Sequence, residues 1–182
     1  MATGNYPFGG NAPGFTTCEI LLINLQISVS GGWTSTYLDG SGSYTGYESI
    51  AAFISELQSG ELGDPDSPLP TFAPGDAPPD ILVRMPCYVV IVVSSSDQPS
   101  ICFQPTPMTT GTDCSGKYYD LTEPYNDGDG KPRVLYFAVP VVAVYTTNVV
   151  DPYTMNVEYT SGGTVITHSI DPCIKNRGWH PG

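Results

Sequence analysis

The chain has 182 residues, of which 18 are acidic and 6 are basic, so its formal net charge is −12. That length suits a single domain with a hydrophobic core. Binding to nucleic acid or to an anionic membrane surface depends on clustered Lys and Arg, so the charge argues against both partners. No apolar run is long enough for a transmembrane helix, so we expect no membrane insertion.

Residues 1–17 are rich in Gly, Asn and Pro, which predicts an extended arm in front of the domain. The arm carries the aromatic residues Tyr6, Phe8 and Phe15, and we expect these side chains to contact a neighbouring subunit. No basic segment followed by an apolar one, as in a signal peptide, is visible at this end.

The first regular elements are a long strand and the one helix that the sequence predicts. Residues 18–30 alternate between apolar and more polar side chains, which is typical of a β-strand with one buried face. Apolar residues at helical spacing predict a helix over about 46–58, with Thr45 and Glu48 at the spacing of a capping box. The acidic, proline-rich residues 60–80 predict a long surface loop.

The rest of the chain is dominated by segments rich in β-branched and aromatic residues. Strands are predicted at 81–94, in a short segment that ends near Phe103, and at 117–121, 133–147, 154–160 and 163–169. Pro86 and Pro140 interrupt two of them, which indicates a bend or an edge position. Ser161-Gly162 marks a hairpin between the last two strands, and residues 171–182 predict an irregular tail.

Two of these segments are apolar on both faces. For 88–93 we expect both faces of the strand to be covered. Residues 133–145 carry more apolar surface than a small sheet buries internally, so we expect a neighbouring subunit to cover their outer face.

Sequential, turn-linked strands with a single helix predict one mainly β domain over residues 18–170. We expect an antiparallel β-sandwich or jelly roll with one short α-helix and long Pro/Gly-rich loops.

Asp39-Gly40-Ser41-Gly42-Ser43 has the form D-x-S-x-S. A carboxylate and two hydroxyls at this spacing can ligate a divalent cation, directly or through water. With the predicted helix after it, the stretch resembles the metal-ion-dependent adhesion site of von Willebrand factor A domains. The resemblance implies Mg²⁺ held by Asp39, Ser41 and Ser43 at a strand-to-helix turn, and an adhesive function. That family has a parallel sheet with several helices, whereas this sequence predicts one helix.

The turn at residues 126–130 is a second candidate cation site, with Asp127 and Asp129 as Ca²⁺ ligands. It is not an EF-hand, because aligning Gly130 with the glycine of that loop puts Tyr125 and Tyr136 at the first and last ligand positions. Asn, Asp and Gly in this order also make ordinary turns. No cofactor is expected apart from Ca²⁺ or Mg²⁺ at these two sites.

Trp33, Tyr37, Tyr44 and Tyr47 cluster around the Gly/Ser loop. Such a cluster can stack on a glycan or on a protein partner. The alternative is that these residues serve the sheet itself, because Tyr and Trp are common in strands.

The five cysteines cannot all be paired, and no Cys-x-x-Cys occurs. Cys87, Cys102 and Cys114 are candidates for a disulfide, but the pairing does not follow from the sequence.

No catalytic site is predicted. The two histidines are His168 and His180, and no G-x-S-x-G turn presents a serine nucleophile. His168, Cys173 and His180 do not have the spacing of a common zinc site. A hydrolase with an unrecognised pair of acids is therefore a third hypothesis.

We expect a non-catalytic structural subunit that assembles with copies of itself or with other structural subunits. The expected setting is a virion (a decoration, capsid or tail component) or an extracellular filament. The alternative is an adhesion or carbohydrate-binding module. It would act through the cation site at 39–43 or bind a glycan on the aromatic cluster.

Overall fold

The computed structural model describes residues 8, 11–12, 14–30, 32–69, 79–111, 114, 116–140 and 149–176. Twelve β-strands and one α-helix lie in that part of the chain. Their order is β1 (Ile20–Ser28), β2 (Thr34–Tyr37), β3 (Gly42–Tyr44), α1 (Ile50–Ser59), β4 (Ser67–Pro68), β5 (Ile81–Val83), β6 (Cys87–Ser94), β7 (Cys102–Thr110), β8 (Tyr125–Asn126), β9 (Pro132–Val139), β10 (Val149–Ser161), β11 (Thr164–Ile170) and β12 (Cys173–Asn176). The protein is therefore mainly β with one short helix, as the sequence predicts.

The strands form two mixed sheets. One has seven strands in the order β4-β3-β1-β6-β9-β8, with β2 also paired to β1. The other has five strands in the order β11-β10-β12-β5, with β7 also paired to β10. The β1–β6 and β5–β12 pairs are parallel, so the expectation of purely antiparallel sheets is wrong. A parallel pair needs a long crossover, and β1 reaches β6 through four strands and α1.

The alternation along β1 explains how the core is arranged. Its odd-numbered residues from Leu21 to Ile27 lie in a core cluster that contains side chains from both sheets. Ile20 and Leu22 lie in a second cluster on the opposite face, together with residues of α1. The seven-stranded sheet is therefore covered on both faces, by the other sheet and by the helix.

β6 is apolar on both faces for the same reason. Val89 and Ile91 lie in the core between the sheets, and Val90 lies in the cluster under α1. The expectation that both faces of 88–93 are covered is confirmed.

α1 begins at Ile50 rather than near residue 46, because Ser49 is its N-cap and accepts a hydrogen bond from the Ala52 N–H at 3.2 Å. The predicted capping box is wrong, since Thr45 donates its N–H and its hydroxyl to Asp66 at 2.7 and 2.8 Å. In the part of the chain that the structure describes, no helix has the length and hydrophobicity of a membrane span.

The helix covers the outer face of the seven-stranded sheet. Phe53 packs edge-on against Tyr44 and Tyr47, with ring centroids 5.2 and 5.0 Å apart. Val134 of β9 lies in the same cluster. The chain's own helix thus covers the apolar outer face of β9 at Val134, where we expected a neighbouring subunit. Residues 141–145 of that segment lie outside the described residues.

Other boundaries differ from the prediction where pairing partners decide them. The break at Pro86 is the point where the chain passes from β5 in one sheet to β6 in the other. Residues 117–121 contribute only the bridge between Tyr119 and Ala138. The tail at 171–182, predicted to be irregular, contains β12, which pairs with β10 and β5.

Candidate functional site

The D-x-S-x-S stretch connects two antiparallel strands and does not lead from a strand into a helix. β2 and β3 both pair antiparallel with β1. The Ser41 hydroxyl accepts a hydrogen bond from the backbone N–H of Asn24 at 2.9 Å and donates one to its carbonyl oxygen at 3.2 Å. Ser41 therefore satisfies the backbone of β1 at the point where its pairing passes from β3 to β2.

The other two residues of the candidate cation site lie in the turn before Ser41 and in the strand after it. Asp39 lies in an exposed turn, and Ser43 lies within β3 opposite Leu21. Among the described residues, no group of three His, Cys, Asp or Glu side chains could hold a metal ion. The strand-to-helix turn that the von Willebrand resemblance implies is not formed here.

We expect Ser41→Ala to lower the free energy of unfolding by about 1 kcal/mol, because the partly buried N–H of Asn24 loses its acceptor. Urea denaturation measures this loss. Ser43→Ala is the matched control from the same motif, and we expect a smaller loss there. A melting temperature that Mg²⁺ raises in the wild type but not in Ser41→Ala would support the cation site instead.

The second candidate cation site is a turn closed by an arginine. Asp127 Oδ1 accepts the backbone N–H groups of Asp129 and Lys131 at 3.0 and 2.9 Å. Asp127 Oδ2 lies 2.8 Å from the Arg133 guanidinium, and the 81 % exposed Asp129 side chain lies 3.7 Å from it. Calcium needs several oxygens that can converge on it, whereas this carboxylate is already occupied on both oxygens.

Asp97 ties the end of β1 to the loop after β6. Its carboxylate accepts the hydroxyls of Ser28, Ser30 and Ser95 at 2.8, 2.6 and 2.7 Å. It also accepts the backbone N–H groups of Val29 and Ser30 at 3.0 and 2.8 Å. The hydrogen bonds from Ser30 and Ser95, above all, hold the pKa of Asp97 well below its usual range.

This pKa predicts acid sensitivity. The folded-state pKa of Asp97 lies below that of an unfolded chain, so its stabilising contribution is complete at neutral pH and is lost as the pH falls below about 4. We expect the unfolding free energy to fall more steeply between about pH 5 and pH 2 in the wild type than in Asp97→Asn. Denaturant titration at each pH measures this, and equal slopes would contradict the assignment.

The four aromatic residues around the Gly/Ser loop do not form one surface. Tyr44 and Tyr47 pack in the cluster under α1, whereas Trp33 and Tyr37 pack against the core between the sheets. Register explains the split, because directly opposed residues share a face of a sheet. Tyr44 is opposite Ile20, which faces the helix, and Tyr37 is opposite Leu25, which faces the other sheet.

Trp33 joins β2 to β11. Its ring stacks on His168 with centroids 3.8 Å apart and an interplanar angle of 13°. Burial lowers the pKa of His168, and Asp171 partly offsets this effect. Trp33 has a φ of 55°, a strained value for a residue with a side chain. One face of the indole is occupied by the histidine, so a glycan cannot stack on that face.

Two of the three aromatic residues of the arm pack on their own domain. Phe8 is 6 % exposed, and its ring lies 4.8 Å from Phe137 and 5.9 Å from Tyr118. Phe15 packs edge-on against Tyr88 at 4.9 Å. Tyr6 lies outside the described residues. Phe8 therefore stabilises the fold of the single chain and has little surface to offer a neighbour.

All five cysteines are free thiols, so no disulfide forms among Cys87, Cys102 and Cys114. Cys87 is the first residue of β6, and Cys102 is the first residue of β7, which follows the opposite end of β6. A strand of eight residues is about 25 Å long, whereas a disulfide needs Cα atoms within about 7 Å. Burial raises the pKa of Cys87 to about 12, which keeps the thiol protonated.

A buried polar network surrounds Asp151 of β10. Asp151 Oδ1 accepts Lys117 Nζ at 2.7 Å, and Oδ2 accepts the Tyr118 hydroxyl at 2.7 Å. Cys114 lies beside Asp151, and Asn176 lies beside Tyr118. Burial first, and Asp151 second, raises the pKa of Tyr118. The network ties the segment around Lys117 and Tyr118, which lies between β7 and β8, to β10 and β12. The sequence pattern alone did not reveal this network.

β11 is the outermost strand of the five-stranded sheet in the part of the chain that the structure describes. It pairs with β10 from Ile170↔Met155 to Thr164↔Ser161, as the hairpin prediction requires. Its seven residues include no Asp, Glu, Lys, Arg or Pro. Val165 and Ile166 are 56 % and 37 % exposed. Such an edge presents backbone donors and acceptors next to apolar side chains.

Other described edges are short or interrupted, as is common in natural sheets. β7, on the opposite side of β10, carries Pro105 and Pro107, and its register shifts between Met155 and Val157. β4 and β8, at the ends of the seven-stranded sheet, have two residues each. β11 differs from these strands because it is long, regular and free of proline.

The turn before β11 decides which backbone groups face the open edge. Gly162 and Gly163 have φ values of 56° and 80°, as in the type I′ turn of a two-residue hairpin loop. The residues that close such a turn form a hydrogen-bonded pair, and every second residue of the strand repeats it. The N–H and C=O groups that point away from β10 therefore belong to Val165, Thr167 and Ser169.

No protein-family model matches this sequence, and a comparison with curated proteins finds no match. The function therefore has to follow from the residues of the chain itself.

Proposed function

We propose that the chain is a non-catalytic structural subunit that assembles with copies of itself, or with other structural subunits, into a larger particle or fibre. The open edge of β11 carries the proposal. A long, regular edge strand without charge or proline is a template for another strand, and natural proteins usually protect such edges. Pairing at this edge would be β-augmentation, in which backbone hydrogen bonds supply the affinity.

The proposed setting is a virion or an extracellular filament. Two mixed sheets with a shared core are compatible with a β-sandwich, and we propose this class, including the jelly roll, for the subunit. The apolar outer face of β9 and the aromatic residue Phe8 do not support assembly, because the chain itself covers them.

The charge of the chain makes a second prediction about assembly. Copies with a net charge of −12 repel each other, whereas β11 itself carries no charged residue. Association through β11 would keep acids away from the contact and would strengthen as salt screens the remaining repulsion.

Light scattering over a concentration and salt series, with electron micrographs of the same samples, tests the proposal. We expect masses above the 19.4 kDa of one chain, increasing with protein and with salt. Thr167→Lys, which puts a charge on the edge, should shift the distribution to monomer. Thr160→Lys, exposed on β10, is the matched control and should assemble. A monomer at high micromolar concentration and at every salt concentration would overturn the proposal.

A further inference from the structure

We propose that the partner of β11 is β11 of a second copy, paired antiparallel about a two-fold axis at Thr167. This inference rests on the proposed function and adds the partner, the strand direction and the register. The partner, the direction and the register are each argued from the backbone and side chains of β11.

The outward-facing backbone groups determine the register. They belong to Val165, Thr167 and Ser169, and Thr167 is the middle one. An axis at Thr167 places it opposite its own copy, and places Val165 opposite Ser169 of the second copy. Each of these pairs can exchange both N–H···O bonds, as in any antiparallel ladder. Moving the axis by two residues in either direction would take one of the three residues out of the ladder.

The side chains suit the same register. Ile166, which is 37 % exposed in one chain, would lie opposite His168 of the second copy. His168 is stacked on Trp33, and burial lowers its pKa, so the imidazole is neutral at neutral pH and adds no charge to the contact. The pairing would cover Ile166 and join the two five-stranded sheets into one continuous sheet.

The acidic residues near β11 are not opposed in this arrangement. Asp171, one residue beyond the strand, would lie opposite Gly163 at the hairpin tip of the second copy. Glu158 lies on β10, opposite Thr167 within the chain. The two Glu158 side chains would be three strand spacings apart, about 14 Å, which exceeds the Debye length of about 10 Å in 0.1 M salt. A chain with a net charge of −12 therefore has an edge at which its copies can meet.

The pairing is isologous, so it closes at two copies. Growth into a larger particle would use a second surface, and β11 would supply the dimer from which it grows.

Cysteine cross-linking tests the register. Val165→Cys, Thr167→Cys and Ser169→Cys are each oxidised mildly, and covalent dimers are counted on non-reducing gels. The wild type gives the background from its five thiols, and the mass of the linked peptide identifies the bond. Opposed Cα atoms in a hydrogen-bonded antiparallel pair are about 5.5 Å apart, within the range of a disulfide. We expect Thr167→Cys alone to give mostly dimer.

The other two variants distinguish the direction of pairing. Val165→Cys and Ser169→Cys should each remain at the wild-type background alone, because their own copies would lie four residues apart along the ladder. Mixed together they should cross-link to each other. Dimers from all three variants alone would mean a parallel pair and would overturn the inference.

The failure of the inference can be separated from that of the proposed function. Assembly by light scattering without a Thr167→Cys cross-link would overturn the β11 pairing and leave the structural role in place. A monomeric protein without cross-links would overturn both.

Discussion

Replacing Thr167 with proline is expected to abolish assembly and to leave the fold of the single chain intact. Proline cannot donate a backbone hydrogen bond, and it is tolerated in an edge strand where the N–H faces away from the sheet. The N–H of Thr167 points toward the open edge, so its loss would interrupt only the contact with a second strand. Light scattering should show a single 19.4 kDa species, with a melting temperature close to that of the wild type.

Ile166→Pro is the matched control, one residue away on the same strand. Ile166 is opposite Tyr159, and its N–H points toward β10, so proline there removes a hydrogen bond of the hairpin itself. We expect this variant to lose at least about 1 kcal/mol of stability relative to Thr167→Pro. If Thr167→Pro assembles like the wild type, the edge of β11 is not the contact. If both variants lose equal stability, the alternation assigned to the strand is wrong.

The regular elements could be predicted from the sequence because their patterns are local. The alternation in β1, the apolar run of β6 and the helical spacing around Phe53 each identify an element from neighbouring residues in the sequence. The sheet order could not be predicted in the same way. The parallel β1–β6 pair brings together Ile20 and Tyr88, which are separated by five intervening elements, and nothing near either residue specifies that partner.

The candidate site shows the same limit. D-x-S-x-S describes which oxygens are close in sequence, but the Ser41 hydroxyl is used by Asn24, a residue of a different strand. The β11 hairpin was predicted from its turn residues, yet its position at the edge depends on which strands pair with β10. For the same reason the aromatic residues Tyr37 and Tyr44, seven residues apart, face opposite sides of one sheet.

The Asp151 network leads to the prediction with the largest expected effect on stability. Asp151→Ala would leave the Tyr118 hydroxyl, which is buried, without its acceptor and would remove the partner of Lys117. Removing one member of a fully buried ion pair costs about 3–5 kcal/mol. Here the Lys117 side chain is 32 % exposed and regains water, so we expect the lower end of that range, about 3 kcal/mol, mainly from the buried Tyr118 hydroxyl. Urea denaturation should show a loss of this order. Tyr118→Phe, which removes one hydrogen bond and leaves the ion pair, should lose about 1–3 kcal/mol.

Asp129→Ala is the control that tests whether burial of the carboxylate causes the loss of stability expected for Asp151→Ala. Asp129 also faces a basic side chain, Arg133, but its own side chain is 81 % exposed and the atoms are 3.7 Å apart. An exposed pair contributes at most about 1 kcal/mol, so this variant should unfold almost like the wild type. Equal losses of stability in Asp151→Ala and Asp129→Ala would contradict the role of the Asp151 network. The segment around Lys117 and Tyr118 would then be held to β10 and β12 by other contacts. A large difference would show that this part of the fold depends on one buried carboxylate. Variants made for assembly experiments would then have to keep Asp151, because a chain that unfolds around this residue can aggregate without using β11.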